Sequence, residues 1–108
     1  MANRFGRFES LVAAALARLD GPATSAEILA EILDSGGAAL AANVYATLGR
    51  LEGKAIVTTA VETILAPDRA KRTVRFYTLT KTGREELKFA IERLQMTVSV
   101  SPRPRKAA

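Results

Sequence analysis

The stretch "NVYATLGRLEGK" (Asn43–Lys54) decides how this chain is read. Wound as a helix, it has three faces. Val44, Leu48 and Leu51 fall at i, i+4, i+7 and form one apolar stripe. Asn43, Thr47, Arg50 and Lys54 line up along one flank. Opposite the stripe stand Ala42, Ala46, Gly49 and Gly53, where a solvated helix would carry Glu and Lys. Gly49 costs about 1 kcal/mol of helix propensity against Ala, so a close contact is expected to compensate it. A smooth back beside a row of hydrogen-bonding side chains suits a helix that another body approaches closely.

On the N-terminal side, the spacing of Phe8, Leu11, Val12, Leu16 and Leu19 predicts a first helix over Phe5–Leu19. "DGPATS" breaks it, with Gly21 suited to the C-cap and Pro22 to the exit. Thr24 or Ser25 then caps a second helix, and Glu27, three residues after Thr24, fits a capping box. Ile28, Leu29, Ile32 and Leu33 are read as its inner face, and Glu27, Glu31 and Asp34 as its outer one. "SGGAA" ends it, and the third helix covers about 39–53.

On the C-terminal side the period changes. "AIVTTAVETIL" is rich in β-branched residues, and Val57–Leu65 alternates with period two. "APDRAKR" is a turn region and "TVRFYTLT" a second strand, so the pair reads as a hairpin. Thr80 or Thr82 caps a last helix over about 81–94, striped by Leu87, Ala90, Ile91 and Leu94. The order is α-α-α-β-β-α: mainly α with a β-hairpin wing (α+β), the layout of a winged helix-turn-helix, whose third helix enters a DNA groove. One domain over 1–95 and a basic, Pro-containing, disordered tail over 96–108 account for the chain.

Composition bounds the function. The 108 residues suffice for one domain with a modest core. Net charge is +5 and the pI about 10.1, which points to a polyanionic partner. With no Cys and no His, zinc fingers and the usual nucleophile–base pairs are excluded, and no metal or cofactor is expected. No apolar run spans a bilayer and no secretory segment opens the chain. A cytoplasmic protein without membrane contact is expected, and the lack of Cys is compatible with a reducing compartment.

Three motifs resemble those of the PadR-like transcriptional regulators. "NVYATLGRLEGKAIV" is similar to the family's third-helix signature at Val44, Tyr45, Leu48, Leu51 and Glu52. "FYTLTKTGREEL" resembles its second wing strand at Phe76, Tyr77, Leu79, Thr80 and Gly83. "GPATSAEI" matches the start of its second helix at Gly21, Pro22, Glu27 and Ile28. The family's Pro in the third helix is Ala46 here, its aromatic pair before Glu27 is Thr24 and Ala26, and no Trp occurs. The aromatic ligand-holding role of some small members is therefore not carried over, and the sequence neither supports nor excludes a small-molecule effector. The resemblance implies a homodimer joined by the last helix (about 81–95), packed on the first helix of its mate. Phe5, Phe8, Leu11, Leu87, Ile91 and Leu94 are the interface candidates. Two third helices would then face successive major grooves.

On the third helix, Asn43, Thr47, Arg50 and Lys54 are read as contacts to base edges and phosphate: Arg to guanine, Asn to adenine, Thr to a thymine methyl or phosphate, Lys to phosphate. Tyr45 suits either the core edge or a phosphate. In the wing, about 66–75, Arg69, Lys71, Arg72 and Arg75 are opposed only by Asp68 and are read as contacts to backbone or minor groove. Arg4 and Arg7 are read as solubility charges, and the tail "PRPRK" as either a DNA arm or plain solubility. No catalytic pair stands out; Glu85, Glu86 and Glu92 lie near Lys88 and Arg93 on a helix surface. The expected function is sequence-specific binding of double-stranded DNA by a dimeric transcriptional repressor. The alternative is a winged-helix module that docks an acidic protein.

Overall fold

The computed structural model of the chain describes residues 5–100, with side chains as far as Glu92. Helices α1 (Arg7–Leu19), α2 (Ser25–Asp34) and α3 (Ala41–Gly53) precede strands β1 (Val57–Leu65) and β2 (Lys71–Leu79), and α4 (Lys81–Val100) follows. The expected order is observed, and β1 spans the expected residues. Helix α4 runs to Val100, past its expected end at Leu94 and into the segment read as tail. Arg4, residues 101–108 and the side chains of Leu94 and Met96 lie outside the described residues.

Local chemistry explains the boundaries. At α2, the Glu27 amide donates to Thr24 Oγ1 at 3.2 Å and the Thr24 amide to Glu27 Oε1 at 2.9 Å, the expected capping box. Helix α1 begins at Arg7, because Gly6 is its cap and Glu9 reaches back to the Gly6 amide at 3.0 Å. Its C-cap is Asp20 in the left-handed region (φ 53°), rather than the expected Gly21. An Asp tolerates that conformation because its short polar side chain can bond locally. Helix α3 ends in a Schellman turn: the Ile56 amide donates to Leu51 at 2.9 Å and the Ala55 amide to Glu52 at 3.0 Å. Ala55 occupies the left-handed position (φ 63°) where Gly is usual.

The core lies between the three helices and the base of the hairpin. Val12, Leu16, Ile28, Ile32, Leu48 and Leu51 are fully buried there, each contributing roughly 1.5–3 kcal/mol over exposure. Leu19 and Leu33, expected inside, are exposed. Leu33 lies about 100° around α2 from Ile32, beyond the covered face, and Leu19 is the last residue of α1. An ion pair from Arg18 to Glu31, 2.6 Å, ties α1 to α2 across the surface.

The strands pair antiparallel from Val57–Leu79 to Leu65–Lys71. Only the base of the hairpin is buried, at Val57, Tyr77 and Leu79; Val61, Ile64 and Leu65 are exposed, so the outer half stands away from the body. The α1–α2 link adds a third partner that the sequence did not signal: Ala23 bridges Tyr77 through two backbone bonds of 3.0 and 2.8 Å.

Thr80 joins the wing to α4. Its hydroxyl accepts from the Gly83 amide at 2.8 Å and is shared between the carbonyls of Ala55 (2.8 Å) and Ile56 (3.1 Å). Gly83 is pressed so closely on this turn that a Cβ there would lie 2.2 Å from the Ile56 carbonyl oxygen. Gly83→Ala is therefore expected to destabilise the fold on the order of 1–3 kcal/mol, despite the better helix propensity of Ala. Urea unfolding checks this; equal or greater stability would mean that α4 shifts without strain.

Candidate nucleic-acid interface

The outer face of α3 is open. Ala42, Ala46, Gly49 and Gly53 are exposed, and a Cβ built on either glycine meets nothing within 4 Å. Among the described residues nothing lies against Gly49 where a side chain would stand. A body resting here can reach the helix backbone.

The two flanks of α3 differ. On the wing side stand Tyr45, exposed, and Glu52, whose Oε2 accepts from Thr59 Oγ1 of β1 at 3.1 Å. On the α1 side stand Asn43, Arg50 and Lys54, all exposed. The expected fourth member of that row, Thr47, is turned inward and only 1% exposed. Thr47 lies nearer the apolar stripe than its flank neighbours, and its hydroxyl accepts from Arg50 Nη2 at 3.0 Å. The reading of Thr47 as a surface contact is thus corrected: it touches Arg50, not solvent.

Glu9 was not singled out in the sequence, where it looked like an ordinary helix-start acid. It is 7% exposed, and its carboxylate sits against the C-terminal half of α3. Oε1 accepts from Lys54 Nζ at 2.8 Å and from the Gly6 amide; Oε2 accepts from Arg50 Nε at 3.4 Å. Burial pushes this carboxyl up, but the Lys54 ammonium, the Gly6 amide and the Arg50 guanidinium outweigh it and hold it below its ordinary value.

The pleat divides the cations of the wing. Lys71, Thr73, Arg75 and Tyr77 share one face of β2, and Arg72 lies on the other. All four wing cations are exposed. Arg72 is tied to Asp68 at 2.9 Å, whereas no ion pair to Arg69, Lys71 or Arg75 occurs among the described residues. Arg69 is at the tip, in the left-handed conformation (φ 69°). The four do not act as one patch: Lys71 and Arg75 share the face that continues from the core, and Arg72 is partly neutralised behind it.

Between the α2 N-terminus, α3 and this face lies an open cleft of about 410 Å³, lined by Thr24, Ser25, Tyr45, Thr73, Arg75 and Tyr77. Tyr77 is 3% exposed, and its hydroxyl has no hydrogen-bond partner among the described residues. Burial raises its pKa, Tyr45 and Glu52 add to the rise and Arg75 opposes it, so the phenol stays neutral and can donate. An apolar groove of about 370 Å³ runs between α1, β2 and α4, with Ala17, Leu79, Leu87 and Ile91 in its wall. Of the dimer candidates, Phe5 and Leu87 are buried in the core of their own chain. Phe8 and Leu11 are half-buried, Ile91 is exposed, and Leu94 lies outside the described side chains. No group of metal-ligating side chains, and no helix long and apolar enough to cross a membrane, occurs among the described residues.

The model of the transcriptional regulator PadR-like family matches residues 15–89, most of the chain, from within α1 to within α4. The chain belongs to the PadR-like family. Solved structures share its fold. A PadR family transcription regulator from Clostridium difficile superposes with a TM-score of 0.74 at 17% identity, over 88% of this chain and 94% of that one. A PadR family regulator from Eggerthella lenta gives 0.68 at 22% identity, over 86% and 79%. Bacillus subtilis PadR, solved in complex with operator DNA, gives 0.61 at 18% identity; 93% of this chain covers half of it, 50%. No curated protein matches the sequence. Within the PadR-like frame, α3 and the hairpin are the helix and wing of a winged helix-turn-helix, and the family is one of regulators rather than enzymes.

The Glu9 contacts carry a pH signature. A carboxyl held below its ordinary value of 4.5 adds stability that is fully present above that value and is lost as pH falls from there through the lowered one. Glu9→Gln is therefore expected to lower the melting temperature at pH 7, with the gap to wild type narrowing as pH falls below 4.5. A gap independent of pH would mean that the ionised carboxylate contributes nothing.

Proposed function

We propose that this chain is a sequence-specific regulator that binds double-stranded DNA as a homodimer and represses transcription. The single observation that carries the reading is the bare outer face of α3, open down to its glycines and flanked by Asn43, Tyr45, Arg50 and Lys54. A helix entering a groove about 12 Å wide needs that closeness. Support comes from membership of the family and from the B. subtilis relative described with operator DNA.

In this reading the duplex lies across α3 and the inner face of the wing. Lys71, Arg75 and the tip Arg69 meet the phosphate backbone or minor groove and supply charge-dependent affinity. In the same reading the cleft at the α2 N-terminus, lined by Thr24, Ser25, Arg75 and Tyr77, seats a phosphate. Arg72, paired to Asp68 on the opposite face, contributes least. The mate packs on α4 through Ile91 and on Phe8 and Leu11 of α1, which sets two α3 helices at successive major grooves.

The test is fluorescence anisotropy of a labelled random duplex, titrated at several salt concentrations. Affinity that falls steeply with salt is expected, and replacing Lys71 and Arg75 with Ala flattens the slope by roughly two. The same pair of changes at Arg69 and Arg72 is expected to flatten it less. No binding at low salt would overturn the DNA reading and direct the search to an acidic protein partner. Sedimentation velocity tests the assembly: a dimer is expected for wild type and a monomer for Ile91→Glu, while an unaltered dimer would place the interface elsewhere.

A further inference from the structure

Arg50 is held at two points of its guanidinium. Thr47 Oγ1 takes an Nη2 hydrogen at 3.0 Å, and Glu9 Oε2 faces Nε at 3.4 Å. Both holders are buried while the Arg50 side chain is 57% exposed. A guanidinium has five N–H groups in a rigid plane. With Nε and one Nη2 hydrogen engaged, the free ones lie along the Nη1–Nη2 edge, the edge that forks onto guanine O6 and N7. These contacts restrict the side chain's rotational freedom before any partner arrives, so a binding partner need supply less of that ordering. Glu9 also offsets charge: on the α1 flank of α3, Arg50 and Lys54 beside it present a net of one positive charge instead of two. That weakens attraction for any polyanion while leaving the geometry of Arg50 fixed.

We propose that Glu9 and Thr47 are positioning residues for sequence discrimination, fixing the Arg50 fork toward one base while Glu9 suppresses indiscriminate affinity. This rests on the DNA-binding reading above. Neither residue touches the duplex; both act through Arg50.

The experiment is in vitro selection from a random-sequence duplex pool, run with wild type, Glu9→Gln, Thr47→Val and Arg50→Ala, with affinities of each for the enriched duplex and for random duplex. Wild type is expected to enrich a guanine at a position where Arg50→Ala loses preference. Glu9→Gln and Thr47→Val are expected to lose roughly tenfold of discrimination at that same position. Glu9→Gln should also bind random duplex more tightly, with a salt slope steeper by about one. In an Arg50→Ala background neither change should cost further discrimination. Because the readout is a ratio between duplexes, a loss of folded protein does not move it. Thr47→Val keeps shape and charge, so it decides the matter if Glu9→Gln does not fold. Wild-type preference retained by both variants, while Arg50→Ala loses it, overturns the positioning role and leaves the DNA reading standing. Preference untouched by Arg50→Ala overturns it as well. A wild-type protein that binds no duplex removes the DNA reading and the proposal together.

Discussion

The carbonyl of Ile56 accepts from Thr80 twice, from the backbone amide at 2.9 Å and from the hydroxyl at 3.1 Å. The same turn is pinned from behind by the Schellman bonds that end α3. Helix, wing and α4 therefore radiate from one short backbone segment, Ala55–Ile56, whose amides and carbonyls are all bonded. With the segment fixed, the angle between α3 and the hairpin follows, and with it the relation of Asn43 and Arg50 to Lys71 and Arg75. Gly83 is the condition for this closeness, since no other residue leaves the Ile56 oxygen room. A candidate binding face made of two unlike elements thus takes its geometry from a turn between them.

Charge on that face is managed as well as accumulated. The chain carries an excess of five positive charges, yet its best-placed cations differ in how they are held. Arg50 and Lys54 lean on a buried carboxylate, Arg72 on an exposed one, and Arg69, Lys71 and Arg75 have no ion-pair partner among the described residues. Exposed pairs such as Arg72–Asp68 contribute little to stability. The Glu9 pairs differ in kind, because their carboxylate is largely withdrawn from water and has lost most of the hydration it would have outside.

Much of this was legible in the sequence. The stripe Val44, Leu48, Leu51 is buried as its spacing required, the Thr24–Glu27 box caps α2, and β1 keeps its expected bounds. These are local properties, set by helical period and by side chains bonding to their own backbone. What failed was tertiary. Thr47 sits on the border between stripe and flank, and only the approach of α1 decides which side it joins. Glu9 meets Arg50 and Lys54 across forty-odd residues of chain, a separation at which one sequence carries no signal. The four wing cations looked like one cluster because they are close in number; pairing register then put Arg72 on the far face. Nothing in the spacing of Phe5 and Leu87 tells a chain's own core from a shared one, and both are buried within their own chain.

The open space over Gly49 has a consequence for how this chain can change. Nothing in the fold holds that position to glycine. An alanine there would improve the helix by about 1 kcal/mol while adding a methyl group to the surface that the proposed function lays against a duplex. Stability and recognition thus pull in opposite directions at a single atom. A variant chosen for heat resistance alone would drift toward filling this face, and would become a sturdier protein with a poorer grip.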